Sequence, residues 1–72
     1  MTRQDIIVTA VEAKRKDLGM PCWRFAQIHL GISAQHYSML KKGDKKFNAT
    51  HLRALYELGL PADVLLGNVK PS

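Results

Sequence analysis

The stretch GISAQHYSMLKKG, residues 31–43, decides the fold of this 72-residue chain. It begins and ends with glycine, the residue that most readily adopts the left-handed backbone conformation found where helices stop. Ser33 stands where its hydroxyl can accept hydrogen bonds from the unpaired N–H groups of a first helical turn. Tyr37 and Leu40 are three positions apart and can form a buried stripe. The pattern therefore predicts a short amphipathic helix, residues 33–42, between two glycine turns.

The sequence upstream of this segment predicts two further helices. The first runs from near Arg3 to Asp17, and Gly19 follows it as a helix breaker. Pro21 suits the first position of the second helix, because its missing N–H would be unpaired there in any case. The residues expected to face inward from these two helices are Ile7, Ala10, Val11, Leu18, Phe25, Ala26 and either Ile28 or Leu30.

The sequence downstream predicts a loop and two more helices. Asn48 or Thr50 can cap a fourth helix, and Pro61 opens a short fifth one. The residues expected to face inward there are Leu52, Leu55, Leu58, Val64 and Leu65. No stretch alternates apolar and polar residues at period two for long. The expected fold is therefore all-α, with five helices in one compact domain, residues 1–67, followed by a flexible tail, residues 68–72.

Charge is distributed unevenly along the chain, whose formal net charge is +5. Four lysines lie within residues 41–46, relieved only by Asp44, whereas residues 54–69 hold Glu57 and Asp63 and no basic residue. One basic region beside a region without cations is the pattern expected of a surface that contacts phosphates. A lysine-rich loop that is simply solvated would give the same local charge. Charge alone leaves both interpretations open.

Several classes of function are disfavoured by the residues present. No nucleophile stands beside a general base at a recognisable spacing, and the glycines separate helices without forming a phosphate-binding loop. We therefore expect neither an enzyme nor a cofactor nor a small-molecule ligand. Metal binding is not expected either, because the close pairing of zinc ligands is lacking among Cys22, His29, His36 and His51. Cys22 is expected to be a partly buried thiol, and Trp23 to pack against the first helix.

The beginning of the chain does not resemble a targeting segment. Charged residues interrupt the apolar ones in residues 1–19, and no apolar run approaches the roughly 20 residues that span a bilayer. A single cysteine excludes an internal disulfide. We therefore expect a cytoplasmic protein in a reducing setting, with no membrane partner.

The order of the elements is typical of a helix-turn-helix, in which a glycine turn joins two helices and the second begins with a hydroxyl cap. From Val11 to Gly67 the chain resembles the phage repressor and Cro type of helix-turn-helix, the lambda repressor-like XRE family. VEAKRKDLGMPCWRFA, residues 11–26, is similar to the family's first helix and the start of its second. GISAQHYSMLKKG matches its turn, recognition helix and closing glycine. LRALYELGLPADVLLG, residues 52–67, is similar to its last two helices.

Two features depart from the family's pattern. AQIHLG, residues 26–31, takes five positions from Ala26 to the turn glycine, where family members usually have four. One extra residue rotates a following helix by about 100° unless the turn absorbs it. Cys22 stands where the family often has a glutamine that contacts backbone phosphate, and Arg24 or Trp23 can replace that contact.

The resemblance implies that the third helix reads base edges in the major groove of DNA. Gln35 is the expected main reader, because a glutamine side chain can pair with both N6 and N7 of adenine. Ala34 can lie against a thymine methyl, and Met39 can make an apolar contact one turn later. The alternatives are a core position for Met39 and plain solvent exposure for His36. The expected base contacts are Ala34, Gln35, His36, Ser38 and Met39, and the expected phosphate contacts are Arg24, Ser33, Lys41, Lys42, Lys45 and Lys46.

As a whole, the resemblance implies a sequence-specific double-stranded DNA-binding transcriptional regulator, a Cro-like repressor of phage or bacterial type. One such module reads few base pairs, so we expect a homodimer on the DNA operator. The expected interface residues are Leu60, Val64, Leu66 and Val69. An antitoxin or an interaction adaptor on the same fold is the alternative. A basic helix lying on an anionic membrane ranks last, because the lysines lie in a loop.

Overall fold

The computed structural model describes residues 2–66, which form five helices joined by turns. The helices, in chain order, are α1 (Arg3–Asp17), α2 (Cys22–Phe25, continuing as a π-helical segment, Ala26–Leu30), α3 (Ala34–Lys42), α4 (Ala49–Leu58) and α5 (Ala62–Leu65). No strand occurs among the described residues, so the all-α prediction is confirmed for them. The predicted tail, residues 68–72, lies outside the described residues.

Local capping explains where the helices around the central segment begin and end. Oγ of Ser33 accepts a hydrogen bond from the N–H of His36 at 3.1 Å, which confirms the predicted cap of α3. Gly31 and Gly43 have φ angles of 65° and 86°, so they form the left-handed turns on either side of this helix. Of the two predicted caps of α4, Asn48 is the one used. The central segment therefore adopts the helix that its hydroxyl and glycines predict.

The core lies where the inner faces of the five helices meet. Tyr37 and Leu40 of α3 are 1% and 0% exposed and form the predicted buried stripe. Of the two residues predicted to face inward at the end of α2, Leu30 does so, whereas Ile28 is 57% exposed. Because burying a large apolar side chain contributes about 1.5–3 kcal/mol, this stripe fixes the rotation of α3. The buried apolar residues are Ile7, Val11, Phe25, Ala26, Leu30, Tyr37, Leu40, Leu55, Leu60 and Leu65.

Three apolar residues lie elsewhere than predicted. Leu18 is 42% exposed, because it is the cap residue beyond the last turn of α1. Trp23 is 56% exposed, so the prediction that it packs against α1 is wrong. It lies two positions before the buried Phe25, which places it about 200° around α2 and away from the core. Leu60 is 5% exposed and belongs to the core, which argues against its predicted place in a dimer interface.

The end of α2, from Ala26 to Leu30, is wound as a π-helix. The N–H of Gly31 donates to the carbonyl of Ala26, five positions earlier, where an α-helix would use the fourth. The N–H of Ile32 also donates to this carbonyl, at 3.1 Å. The last turn of α2 is therefore one residue wider than an α-helical turn, and the left-handed Gly31 follows it directly.

Candidate nucleic-acid interface

The side of α3 that faces solvent is set by its buried stripe. Successive residues of an α-helix are separated by about 100°, so the side opposite the stripe carries Gln35 and Lys42. Both residues are exposed, and Ser38 and Met39 flank them as half-buried residues. We call these four residues the outer face of α3. The register of the helix thus places Gln35 near the centre of this face.

Two other predicted base contacts lie beside the outer face. Ala34 is exposed at the first position of α3. His36 is half-buried, and its imidazole packs edge-on against that of His51, with the ring centroids 5.4 Å apart. His36 is therefore directed towards α4. This position differs from the predicted base contact and also from the alternative of plain solvent exposure. Met39 is half-buried, so one part of its side chain is covered and the rest faces solvent.

His51 joins the start of α4 to α3. It is 5% exposed, and its Nδ1 accepts a hydrogen bond from the N–H of Asn48 at 3.3 Å. The N–H of His51 in turn donates to Oδ1 of Asn48 at 2.9 Å. Only an unprotonated Nδ1 can accept, so the neutral imidazole fits this arrangement. Burial, together with the nearby His36, lowers the pKa of His51 and favours that neutral form.

A basic rim borders the outer face of α3 at its C-terminal end. We define it as Lys42, which also belongs to the outer face, together with Arg3, Lys45 and Lys46. All four residues are exposed. Arg3, Lys42 and Lys46 line one cleft of about 540 Å³ between the start of α1 and the loop after α3. Three of these cations were predicted to contact phosphate. Arg3 was missed, because it is remote in sequence from the lysines that it joins.

Gln4 ties the basic rim to α1. Its Nε2 donates to the carbonyl oxygen of Leu40 at 2.9 Å and to that of Lys45 at 3.1 Å. A single side chain thus connects the start of α1, the end of α3 and the following loop. Thr2 caps α1, and its backbone N–H donates in return to the carboxylate of the neighbouring Asp5, which lowers the pKa of Asp5. Sequence reasoning missed the connection through Gln4, since an amide near a helix start carries no signal of distant partners.

Lys41 lies in a different environment from the other lysines of this region. Its Nζ is 3.5 Å from Oε1 of Glu12 and 3.5 Å from Sγ of Cys22. It also lies 5.5 Å from the centroid of the Tyr37 ring. The ammonium is therefore directed towards α1 and α2, which argues against its predicted phosphate contact. Cys22 itself is half-buried, as predicted.

Glu12 links α1 to α3 through hydrogen bonds. Its Oε2 accepts from Nη2 of Arg15 at 2.6 Å, and its Oε1 accepts from the hydroxyl of Tyr37 at 3.0 Å. Partial burial would raise the pKa of Glu12, but the hydrogen bonds from Arg15 and Tyr37 outweigh it and hold the pKa below its usual range. Burial and the charge of Glu12 raise the pKa of the Tyr37 hydroxyl. At neutral pH the pair is therefore a carboxylate and a neutral donor that fix α3 against α1.

Two more predicted phosphate contacts lie before α3, Arg24 in the first turn of α2 and Ser33 at the cap of α3. Arg24 and Ser33 are both exposed. Oγ of Ser33 already accepts the capping hydrogen bond from His36. A hydroxyl that accepts can still donate its own hydrogen, so Ser33 retains a donor for an anionic oxygen.

The residues predicted for a dimer interface occupy different environments. Leu60 lies in the core, as described above. Val64 is half-buried, and Leu66 is 54% exposed at the end of α5. Val69 lies outside the described residues. Among the described members of this set, Leu66 is the one that presents most of its surface to solvent.

Residues 2–66 contain no group of three or more His, Cys, Asp and Glu side chains placed to hold a metal ion. Within the same range, no helix combines the length and the apolar character needed to cross a bilayer.

A scan against protein-family models, a search of curated proteins and a search of solved structures each find no match to this chain.

Proposed function

We propose that this protein is a sequence-specific double-stranded DNA-binding transcriptional regulator, a Cro-like repressor with a lambda repressor-like fold. The observation that carries the proposal is the outer face of α3, which presents Gln35 to solvent and is bordered by the basic rim. The major groove of B-DNA is about 12 Å wide and admits an α-helix. In this proposal α3 enters the groove, and the basic rim contacts the phosphates beside it.

Gln35 supplies the principal base contact. Its side-chain amide can donate to N7 of adenine and accept from the N6 amino group at the same time. Ser38 can hydrogen-bond to a base edge one turn along the groove. Ala34 and Met39 can make apolar contacts with thymine methyl groups. His36, which packs against α4, serves to orient α3.

The basic rim supplies affinity that does not depend on base sequence. Each Lys or Arg that neutralises a phosphate releases counterions from the DNA, so binding weakens as the salt concentration rises. The rim combines cations from α1, α3 and the loop after α3, and it can therefore follow one stretch of sugar–phosphate backbone. Arg24, in the first turn of α2, and Ser33, at the cap of α3, are exposed and available for further phosphates. The formal net charge of +5 favours association with DNA as a whole.

A homodimer would double the number of bases that one complex reads. Its half-sites should lie about one helical turn, 10–10.5 base pairs, apart, or a multiple of that distance. Substitution of Leu66, the most exposed of the predicted interface residues, would test where the two copies meet.

An antitoxin or interaction adaptor on the same fold is the second candidate. The observation that favours it is the exposure of Tyr56 and Leu66, which are 59% and 54% exposed and lie outside α3.

Selection of bound sites from random duplex DNA tests the proposal. We expect a preferred sequence, and Gln35→Ala should weaken binding to it by about 1–3 kcal/mol while leaving a scrambled duplex nearly unaffected. Tyr56→Ala, which truncates an exposed side chain of α4, is the control and should change neither affinity. Absence of any sequence preference would favour the interaction adaptor. An unchanged ratio of the two affinities in Gln35→Ala would show that another residue reads the base.

A further inference from the structure

The cleft between the start of α1 and the loop after α3 has an apolar floor. We call it the rim cleft, because three cations of the basic rim line it. Its volume of about 540 Å³ falls within the range of clefts that bind small molecules. Ile7 belongs to the core, is 3% exposed and lines the cleft. Phe47 and Leu52 are half-buried, pack against the core and also line it. These three residues form the apolar floor.

The loop on one side of the rim cleft, residues 43–48, is held by hydrogen bonds at several points. Gln4 lines the cleft and donates from Nε2 to the carbonyl oxygens of Leu40 and Lys45. At the far end of the loop, the side chain of Asn48 caps α4. The walls of the cleft are therefore fixed before anything binds. A pre-formed cleft favours binding, because little conformational freedom is lost when it is occupied.

Cations outnumber acids along the rim cleft. Arg3, Lys42 and Lys46 line it, and within residues 2–66 none of the three forms an ion pair with an acidic side chain. Asp5 is the single acid among the described lining residues, and its carboxylate accepts a hydrogen bond from the N–H of Thr2. Lysine and arginine carry charged N–H donors at the end of apolar stems. The rim cleft therefore has an apolar floor and a positive mouth.

This combination decides the chemistry of an occupant. An inorganic anion would pair with the cations but would leave the apolar floor in contact with water. A neutral apolar molecule would cover the floor but would gain nothing from the positive mouth. An organic anion that carries an apolar body uses both parts of the cleft. Gln4 does not donate to such a ligand, because both hydrogens of its Nε2 are already bound to carbonyl oxygens.

We propose that the rim cleft binds an amphipathic organic anion, with its apolar body on the floor and its anionic group among the cations at the mouth. The bound anion competes with DNA phosphates for those cations, so it is an effector that weakens DNA binding. The binding step is independent of the proposed function, whereas the competition rests on it. A small-molecule ligand was not expected from the sequence, because the floor and the cations come from α1, α3, the following loop and α4.

Octanoate tests the binding step, followed by NMR of the methyl groups of the full chain. The methyl resonances of Ile7 and Leu52 should shift during the titration, whereas those of Leu66, exposed at the end of α5 and outside the cleft lining, should not. Octanol has the same chain without the charge, and acetate has the same charge without the chain. We expect octanoate to bind at least about tenfold more tightly than either, since each lacks one of the two contributions.

Three results of this titration would overturn the inference. Acetate binding as tightly as octanoate would indicate an ion at the surface only. Shifts at Leu66 without shifts at Ile7 would indicate another apolar patch. If a second copy of the chain filled the cleft, the resonances of Ile7 and Leu52 would move with protein concentration in the absence of octanoate.

Two lysines of one loop provide matched variants. Lys46 lines the rim cleft, whereas Lys45 is exposed and is not among its lining residues. Lys46→Gln should raise the Kd for octanoate by about threefold, as expected for the loss of one exposed charge interaction, and Lys45→Gln should leave it unchanged. Both variants should weaken binding to a duplex, because both lysines belong to the basic rim. Equal effects of the two variants on octanoate would show attraction by overall charge without a defined site, and would overturn the inference.

Competition with DNA tests the effector role. At a concentration about ten times its Kd, octanoate should raise the Kd of the labelled duplex by about tenfold, as expected when two ligands exclude each other. Sodium acetate at the same concentration controls for the effect of salt on DNA binding. If octanoate bound the cleft and weakened the duplex no more than acetate does, the effector role would be wrong and the proposed function would stand. If octanoate bound the cleft but no duplex bound at all, the proposed function would fail and the assignment of the cleft would be supported.

Discussion

Replacing Gln4 tests whether one side chain holds the basic rim in place. Gln4→Ala removes two hydrogen bonds, to the carbonyl oxygens of Leu40 at 2.9 Å and Lys45 at 3.1 Å. A hydrogen bond between neutral groups contributes about 0.5–1.5 kcal/mol net, and the bond to Leu40 is the more buried of the two. We therefore expect the free energy of unfolding to fall by about 1–2 kcal/mol. In a domain of this size each kcal/mol lowers the Tm by about 4–8 °C.

The substitution Gln4→Glu separates the donor from the shape of the side chain. A carboxylate has nearly the same size but cannot donate, and it would place negative charge against two carbonyl oxygens. We expect Gln4→Glu to cost at least as much stability as Gln4→Ala. Gln27→Ala, at an exposed glutamine of α2, is the matched control and should change stability by less than about 0.5 kcal/mol. Urea denaturation at neutral pH, followed by circular dichroism, measures all three. A Gln4→Glu protein as stable as the wild type would refute the role of the amide as donor.

Three further predictions concern the groups around α3. Lys42→Ala should lower the slope of log K against log salt by about one per protomer. Lys41→Ala should leave this slope unchanged, because the ammonium of Lys41 lies beside Glu12. Salt titrations with a labelled duplex compare the two variants. Tyr37→Phe removes the hydroxyl that donates to Glu12 and should lower the free energy of unfolding by about 1.5 kcal/mol, and an unchanged urea midpoint would contradict this. Burial and the neighbouring imidazole lower the pKa of His51 below its unfolded value of 6.5, so the stability it contributes is present above pH 6.5 and is lost as the pH falls through the folded-state pKa. Between about pH 7.5 and about pH 5.5, the free energy of unfolding should fall less in His51→Gln than in the wild type. Equal losses in the two proteins would show that His51 is not the group that makes stability depend on pH.

The helix boundaries could be predicted because they are decided locally. The prediction of α1 from near Arg3 to Asp17 is confirmed. The cap at Ser33 and the glycine that ends α3 are confirmed as well, since each depends on hydrogen bonds within a few residues. The buried stripe of α3 also followed from spacing alone. These local features determine which residues form the outer face of α3.

The rest depends on contacts between positions that are distant in sequence. The hydrogen bonds of Gln4 to the region after α3, and the contact of His36 with His51, arise only when helices pack together. Leu60 was assigned to an interface, but it lies in the turn between α4 and α5, where no helical period separates core from surface. Trp23 was misplaced because a large apolar residue near a helix start is usually buried, whereas its angle around α2 directs it outward.

The π-helical segment has a consequence for how the length of this chain can change. An insertion or deletion inside an α-helix ordinarily turns everything after it by about 100°. Here the wide turn between Ala26 and Gly31 holds one residue more than an α-helical turn would, and the exposed Ile28 lies within it. Deleting Ile28 would let this turn close with ordinary α-helical hydrogen bonds, while Gly31 and α3 keep their orientation. A deletion at this point is thereby confined to a single turn, so α2 can be shortened by one residue without changing which side chains α3 presents.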